Sequence, residues 1–542
     1  MIRQRTDRTN AAFIERNARM HIHRLKRLMP LVMLALLTLA VLLPTVSAGA
    51  MPIRNSLTDF DAIDAYVDAQ MRELRIPGLA LGIVQGDQIV HLKGFGVADP
   101  SGRSVTPQTP FMIGSVTKSF TALAIMQLVE QGKVELDAPI QRYLPWFRVA
   151  DATASAQITV RHLLNQTSGL SRATGNQFQA SRDMHPDALE QQARWLNTTR
   201  LTQPVGAGFQ YSNANWWPLG MVIQTVSGQP YDAYIQQHIL APLEMRRSFT
   251  AVADAQAQGL ATGYRYWFGR YLPADSSESG HYRGMLPQGG VISSAEDMAH
   301  YLIAHLNQGR YNGKVILSPA GMAEVQRPAV PLGSADTFYA MGLDVGPIDG
   351  VPTVSHDGSM FNFHANLVLI PEGRWGIMLL ENAENLPDEF GAQRLQGIAA
   401  GVTNLLVGRQ PPPAASNWFL LLLYSAILGI IVGQALGMLR SVVLLRRWRA
   451  RSADQPRGWL GIGRRVVLPL VFNLSWALLI LVGLPRVFGP LPVLMLGMPD
   501  LGPLLIGSGV VALGWSIVRM VLAFRVLRKR AATRAIGAPV AA

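Results

Sequence analysis

Residues 111–145 read FMIGSVTKSFTALAIMQLVEQGKVELDAPIQRYLP, and the fold turns on how this stretch is parsed. Phe120, Leu123, Ala124, Met126, Leu128 and Val129 spread apolar side chains nearly all round a helix over 119–131, the pattern of a buried helix rather than a surface one. Gly132 stands where a helix stop is expected. At the mouth of this helix lies Ser115-Val116-Thr117-Lys118. Residues three apart on a helix share a face, so the Lys118 amine can lie beside the Ser115 oxygen. A serine hydroxyl attacks carbonyls only when a base takes its proton, and a partly desolvated lysine can be that base. Unpaired N–H groups at a helix start suit a developing oxyanion, and Gly114 would let the backbone approach a substrate closely. An N-capping serine beside a solvated lysine is the bland alternative for the same four residues.

Working outward, 79–84 and 89–92 are short apolar runs around Gly86-Asp87, a hairpin signal. Near the other end, 365–370 and 375–380 flank Pro371-Glu372-Gly373, again two strands and a turn. Strands at both ends with helical segments between predict an α/β (α+β) domain over 51–408: one antiparallel sheet built from both termini, flanked by helices, plus a helical lobe.

Two further motifs bear chemistry. Tyr211-Ser212-Asn213 is the only Y-x-N in the chain. A tyrosinate near an ammonium can shuttle a proton, and an asparagine offers one donor and one acceptor to a substrate backbone. His356-Asp357-Gly358-Ser359 precedes the second strand pair. Its glycine would let an extended substrate lie on the strand edge, and the Ser359 N–H could serve as a second oxyanion donor. A turn with a lone surface histidine is the plainer reading.

Composition and charge sort the remaining classes. The chain has 542 residues, more than one core accommodates, with 49% hydrophobic and 15% charged residues, which excludes a disordered chain. Cysteine is absent, which removes disulfides, thiolate metal sites and cysteine nucleophiles. The net +13 is not spread evenly: residues 1–29 carry +6, 417–542 carry +13, and 30–416 carry −6. The basic excess flanks apolar runs, the footprint of membrane topology and not of a nucleic-acid groove, so a lipid bilayer and no nucleic acid is the expected partner.

Residues 1–50 read as a signal peptide or N-terminal anchor. A basic stretch ending in Arg24, Lys26 and Arg27 precedes the apolar run 31–43 and the small residues 47–50. Residues 409–416, with Pro411-Pro412-Pro413, form a stiff linker. Residues 417–542 hold three expected transmembrane helices, at about 418–438, 466–484 and 501–518, the third shorter and richer in glycine. The 440–465 connection carries eight arginines and the tail from 519 six basic residues, whereas 485–500 has only Arg486. That asymmetry puts 440–465 and the C-terminus in the cytoplasm and the large domain outside, in agreement with an export signal.

Four stretches then act together: 111–145 above, ITVRHLLNQTSGL at 158–170, FQYSNANWWPLGMVIQTVSGQPYDAYI at 209–235 and SHDGSMFNFHANLVLIPEG at 355–373. In order and context they resemble the serine β-lactamase and penicillin-binding protein superfamily on its class C side, with its D-aminopeptidase and esterase relatives. The resemblance implies a β-lactamase/transpeptidase-like fold and an acyl-enzyme without metal or cofactor. It makes Ser115 the nucleophile, Lys118 its partner, Tyr211 the general base and acid, and Asn213 a substrate-orienting group. His356 and Gly358 occupy the third motif, and the Ser115 and Ser359 N–H groups become the oxyanion hole. That motif is Lys-Thr-Gly in true β-lactamases, where the lysine meets a substrate carboxylate. A histidine is mostly neutral at pH 7, and losing a charge-assisted bond of about 1.5–3 kcal/mol weakens carboxylate selection at least tenfold. Asp357 could restore the charge by holding His356 protonated.

The expected protein is a multi-pass serine hydrolase of a bacterial plasma membrane, its catalytic domain on the periplasmic or extracellular side. Its substrate is a small molecule or peptide: a cell-wall peptide, a D-amino-acid peptide or a small ester. A β-lactamase or D,D-carboxypeptidase proper, or a penicillin- or peptidoglycan-binding sensor without turnover, are the alternatives.

Overall fold

The computed structural model describes residues 59–536 apart from 276–280, 385, 388–393, 413–417, 452–455 and 457. The expected export segment at 1–50 and positions 413–416 of the expected linker lie outside the described residues.

Along the chain, α1 (Phe60–Leu74) starts at Asp59, whose carboxylate accepts the Ala62 N–H at 3.0 Å. The hairpin β1 (Gly78–Gln85) and β2 (Gln88–Gly96) turns at Gly86, whose φ of +64° suits glycine. Helices α2 (Thr117–Glu130) and α3 (Trp216–Ser227) follow, then the small hairpin β3 (Tyr264–Trp267) and β4 (Arg270–Pro273) and helix α4 (Ala295–Leu306). The chain returns to the sheet as β5 (Asp344–Ile348), β6 (Val351–Met360), β7 (Phe363–Ile370) and β8 (Trp375–Glu381), and ends the globular part with α5 (Arg394–Leu406).

The main sheet is antiparallel in the order β2-β1-β8-β7-β6-β5, extended by the two-residue strands Phe338–Tyr339 and Val330–Pro331. First and last strands lie side by side, from Leu79 opposite Glu381 to Gln85 opposite Trp375, so the sheet is built from both termini. The period of two along β1 divides its side chains between the faces. Leu79, Leu81 and Ile83 pack with α1 and α5 through Ile63, Val67, Ile398 and Val402. Ala80 and Val84 join the larger core around α2, α3 and α4. Burying each such Leu, Ile or Val stabilises by about 1.5–3 kcal/mol over leaving it exposed.

Helix α2 runs through that larger core and is buried nearly all round. Its polar side chains therefore need protein partners. Ser119 Oγ donates to the Val116 carbonyl at 2.8 Å, and Thr121 Oγ1 donates to the Pro287 carbonyl at 2.6 Å. Phe120 stacks on Tyr301 at 4.0 Å between centroids.

The motif at 356–359 departs from its sequence reading. It does lie directly before the strand pair, but as the end of a third strand, β6, and not in the turn of the plainer reading. Pro352 and Gly358 weaken the strand pattern, and pairing with β5 and β7 overrides it.

Beyond residue 417 come α6 (Trp418–Ala450), α7 (Leu460–Phe488), the short α8 (Leu491–Gly497) and α9 (Leu501–Ile536). Three helices, Trp418–Ala450, Leu460–Phe488 and Leu501–Arg525, are long and apolar enough to cross a membrane. Each continues past its expected apolar window, because backbone hydrogen bonding carries a helix on into the arginine-rich flanks. The third, expected to be the shortest, belongs to a 36-residue helix. Trp476 Nε1 donates to Ser508 Oγ at 2.9 Å and ties α7 to α9.

Candidate active site

Ser115 sits in a single 3-10 turn, Gly114–Val116, that feeds into α2. Lys118, one turn further on, is wholly buried. Its Nζ donates to Ser115 Oγ at 2.7 Å and to the Gln288 carbonyl at 2.8 Å. From the other side, the Tyr211 hydroxyl lies 2.8 Å from the same Oγ. The fold therefore gathers one hydroxyl, one amine and one phenol on a single oxygen, across 96 positions of sequence.

Tyr211 is held by a residue that the sequence reading did not single out. Gln166 adopts a left-handed φ of +58°, which a non-glycine residue takes only when its surroundings hold it there. Its carbonyl accepts the Gln210 N–H at 2.8 Å, while its side-chain oxygen accepts the Ser212 N–H at 2.8 Å and Asn215 Nδ2 at 2.7 Å. Ser212 Oγ in turn donates to the Ser171 carbonyl at 2.7 Å. Gln166 was visible only as part of the quoted stretch 158–170, with no local signal of its task. Two cations flank the phenol ring, Lys118 Nζ at 5.1 Å and the Arg172 guanidinium at 4.8 Å from its centroid. Both are cation–π contacts on the ring that carries the Ser115-facing hydroxyl.

Asn213 is buried beside them, its Nδ2 reaching Asn176 Oδ1 at 3.4 Å. Its Oδ1 is buried with no hydrogen-bond partner among the described residues, and the residue lines the cleft.

The β6 motif meets the Ser115 turn backbone to backbone. Pairing of β6 with β5 stops at Ser355 opposite Asp344, and beyond that point Gly358 and Ser359 lie against residues 113–115. A Cβ on Gly358 would stand 2.0 Å from the Ile113 carbonyl oxygen and 3.2 Å from Ser115 N. One on Gly114, at φ +50°, would stand 2.9 Å from the Ser359 carbonyl oxygen. Both glycines are thus required by this protein–protein approach, where the sequence reading assigned them to contact with substrate. The close approach brings Ser115 and Ser359 to one edge of the cleft.

His356 is buried, and its Nδ1 donates to the Asp357 carbonyl. Burial pushes its pKa down; Asp357 opposes this and Lys118 reinforces it. That direction favours the neutral imidazole and speaks against Asp357 keeping it charged.

These residues open on a cleft of about 360 Å³. Ser115, Tyr211, Asn213, His356 and Ser359 line it, together with three carboxylates, Asp344, Asp357 and Glu384. Burial, aided by Asp357, pushes the Asp344 carboxyl up to about 7. Glu384 is paired at 2.6 Å with His364, whose pKa is raised to about 10 because Glu384 outweighs the opposing effect of burial. Asp344 and Glu384 carry no motif-like context in the sequence. Arg172, Arg265, Asn176, Gln179 and Asn362 add further polar groups, and one apolar face comes from the far end of the chain: Val493, Leu496, Gly497 and Pro499.

Comparison with known proteins adds three findings. The family model described as Beta-lactamase matches residues 63–401. Protein flp of Staphylococcus aureus (strain MW2) is 28% identical over 324 residues, 59% of this chain and 62% of that protein, and "Unguisins hydrolase ungD'" of Aspergillus campestris is 28% identical over 57% of this chain and 58% of its own length. The chain thus spans less than two thirds of these relatives. Among solved structures, the octameric penicillin-binding protein homologue from Pyrococcus abyssi superimposes with a TM-score of 0.57 at 29% identity, covering 66% of this chain and 79% of that one.

Proposed function

Since the chain belongs to the Beta-lactamase family, we propose that it is a membrane-anchored extracytoplasmic serine hydrolase that cleaves an ester or amide through an acyl-enzyme on Ser115. The observation that carries this reading is the double contact on Ser115 Oγ, 2.7 Å from Lys118 Nζ and 2.8 Å from the Tyr211 hydroxyl. A capping serine has no use for either partner.

Tyr211, as phenolate beside Lys118 and Arg172, takes the Ser115 proton while Oγ attacks the substrate carbonyl. The oxyanion rests on the Ser115 and Ser359 N–H groups. Tyr211 then passes the proton to the leaving alcohol or amine, and the acyl group stays on Ser115. A water entering the vacated position gives a proton to Tyr211 and attacks the ester. Collapse of that intermediate frees the acid and returns the proton to Ser115. Asn213, which lines the cleft, orients the substrate backbone.

Asp344, Asp357 and Glu384 share the cleft lining with Arg172 and Arg265, so the lining charge does not select by itself; His356, neutral where the family's lysine is charged, is what favours an ester or an amide without a carboxylate. One relative carries the name of a hydrolase, which supports turnover over mere binding. The charge bias of the connections supports a globular domain outside the cytoplasm, and two contacts support the same side for residues 485–500. Asn176 Nδ2 donates to the Phe488 carbonyl at 2.8 Å, and the Phe268 N–H donates to Asp500 at 2.8 Å.

The deciding experiment treats full-length protein with p-nitrophenyl acetate and a fluorescent penicillin or serine-hydrolase probe, alongside Ser115→Ala. Product release and labelling that both vanish in the variant are expected. Stable labelling without product release would replace the enzyme by a sensor.

A further inference from the structure

The catalytic cleft is completed by the membrane part of the chain. Helix α8 joins two apolar spans, and its residues Val493, Leu496 and Gly497 form a wall of the cavity that holds Ser115. This wall is seated closely at both ends. A Cβ on Gly489 would lie 2.7 Å from Asn176 Cβ, and one on Gly497 would lie 3.2 Å from Leu386 Cβ. Asp500 fastens the next residues: its carboxylate accepts the N–H groups of Phe268 at 2.8 Å and Leu501 at 2.7 Å, as well as the Tyr424 hydroxyl.

Tyr266 of β3 is a shared wall. One side lines the catalytic cleft, and the other lines a second cavity of about 510 Å³. That second cavity is a groove lined by Leu420, Ile427, Leu428 and Ile431 of α6 and Leu501 and Leu504 of α9, and from the globular domain by Glu73, Arg75, Phe268 and Arg394. Both helices are apolar enough to stand in a bilayer, so the helix side of the groove faces hydrocarbon while charged side chains stand on its globular side. A molecule with a polar head in the first cavity and a hydrocarbon tail in the second must run past the Tyr266 ring that lines both.

We propose that the substrate is a membrane amphiphile, its scissile ester or amide at Ser115 and its hydrocarbon chain in the groove between α6 and α9. This rests on the hydrolase reading and narrows its substrate class. Tail binding in such a groove does not draw on the usual hydrophobic gain, because the bilayer is equally apolar. It acts by orientation, holding the carbonyl against Oγ. The effect therefore belongs in the preference for long over short acyl chains and not in the chemical step on a short ester.

The test uses full-length protein in nanodiscs and two readouts. A fluorophosphonate with a long alkyl tail bearing a terminal diazirine is attached to Ser115, photolysed, and mapped by peptide mass spectrometry. Crosslinks within 420–431 and 501–504 are expected. Crosslinks only to bulk lipid, to other surfaces or to residues 1–58 overturn the proposal while leaving the hydrolase intact. Failure of the probe to label Ser115 sinks the hydrolase reading, and the amphiphile with it. In the second readout, Leu428→Trp and Leu504→Trp fill the groove. The ratio of kcat/KM for decanoyl over acetyl p-nitrophenyl ester should fall at least tenfold with acetyl turnover unchanged. An unchanged ratio in both variants, or a parallel loss on both esters, overturns the proposal.

Discussion

The two walls of the cleft are built on different physics. The wall bearing Ser115, Lys118 and Tyr211 is a hydrogen-bonded lattice, in which each polar group is fixed by another: Lys118 by the Gln288 carbonyl and the Tyr211 segment by Gln166. The facing wall, Val493, Leu496, Gly497 and Pro499, is apolar and held by close packing and a few contacts at its ends. A wall of the first kind sets distances to within tenths of an ångström and suits bond making. A wall of the second kind excludes water and selects shape. Changes on the first should cost rate on every substrate; changes on the second should redistribute preference among substrates.

The largest effect tests the first half of that contrast. Ser115→Ala should lower turnover of p-nitrophenyl acetate by about 10³-fold or more, leaving only what the cleft supplies without a nucleophile. Tyr211→Phe keeps the ring between its two cations and deletes the proton carrier, for an expected loss of about 10²–10⁴-fold in kcat. Equal losses on acetyl and decanoyl esters are required. A loss confined to one of them would place Tyr211 among the selecting residues and break the division.

Gln166→Ala reaches the same wall indirectly. It deletes the acceptor for the Ser212 N–H and Asn215 Nδ2, and an orphaned buried donor costs about 1–3 kcal/mol. Thermal unfolding should register that loss, and kcat should drop about tenfold as Tyr211 loses its register. Gln166→Glu, which retains the acceptor, should recover most of the activity. Full activity in Gln166→Ala would mean that the Tyr211 segment is positioned by Ser212 and Ser171 alone.

This uneven construction also explains what could be read in advance. The sheet was legible from both ends because β1, β2, β7 and β8 are apolar runs punctuated by Gly86-Asp87 and Pro371-Glu372-Gly373. Ser115, Lys118 and Tyr211 were legible because helix spacing and motif order mark them. The place of 356–359 within a strand was not, since Pro352 and Gly358 speak against one and only pairing with β5 and β7 decides it. Nor were Gln166, Asp344 and Glu384, whose tasks come from partners far off in sequence. The apolar wall was the least visible. Nothing in residues 491–499 distinguishes a span connection lying in water from one pressed onto a cleft; that needs Asn176 and Phe268 brought to it from 200 or more positions away.

A smaller effect concerns the charge of the polar wall. The Asp344 carboxyl, raised to about 7 by burial and by Asp357, binds a proton in the folded protein that the unfolded chain releases near pH 4. Between about pH 4 and pH 7 the folded state holds the extra proton, so stability falls as pH rises through that window. Asp344 is half-buried and meets water in the cleft, which trims the effect to about 1–2 kcal/mol. Asp344→Asn should be nearly neutral at pH 4 and should stabilise at pH 8, flattening the pH dependence of the melting temperature. A slope unchanged by the substitution would show that another group supplies it.

The smallest effect probes the seam between the walls. Asn176→Ala removes the bond to the Phe488 carbonyl and the longer one to Asn213, at 2.8 and 3.4 Å. One such bond contributes about 1 kcal/mol net, and the apolar contacts of α8 remain. The melting temperature should fall by a degree or two, with acetyl-ester kcat within about twofold of wild type. If α8 only shapes the cleft, loosening one end of it lowers preference for long chains and spares the acetyl ester. A tenfold fall on the acetyl ester would instead mean that the seat of α8 helps to set Asn213 for the chemical step, and the two walls would have to be treated as one machine.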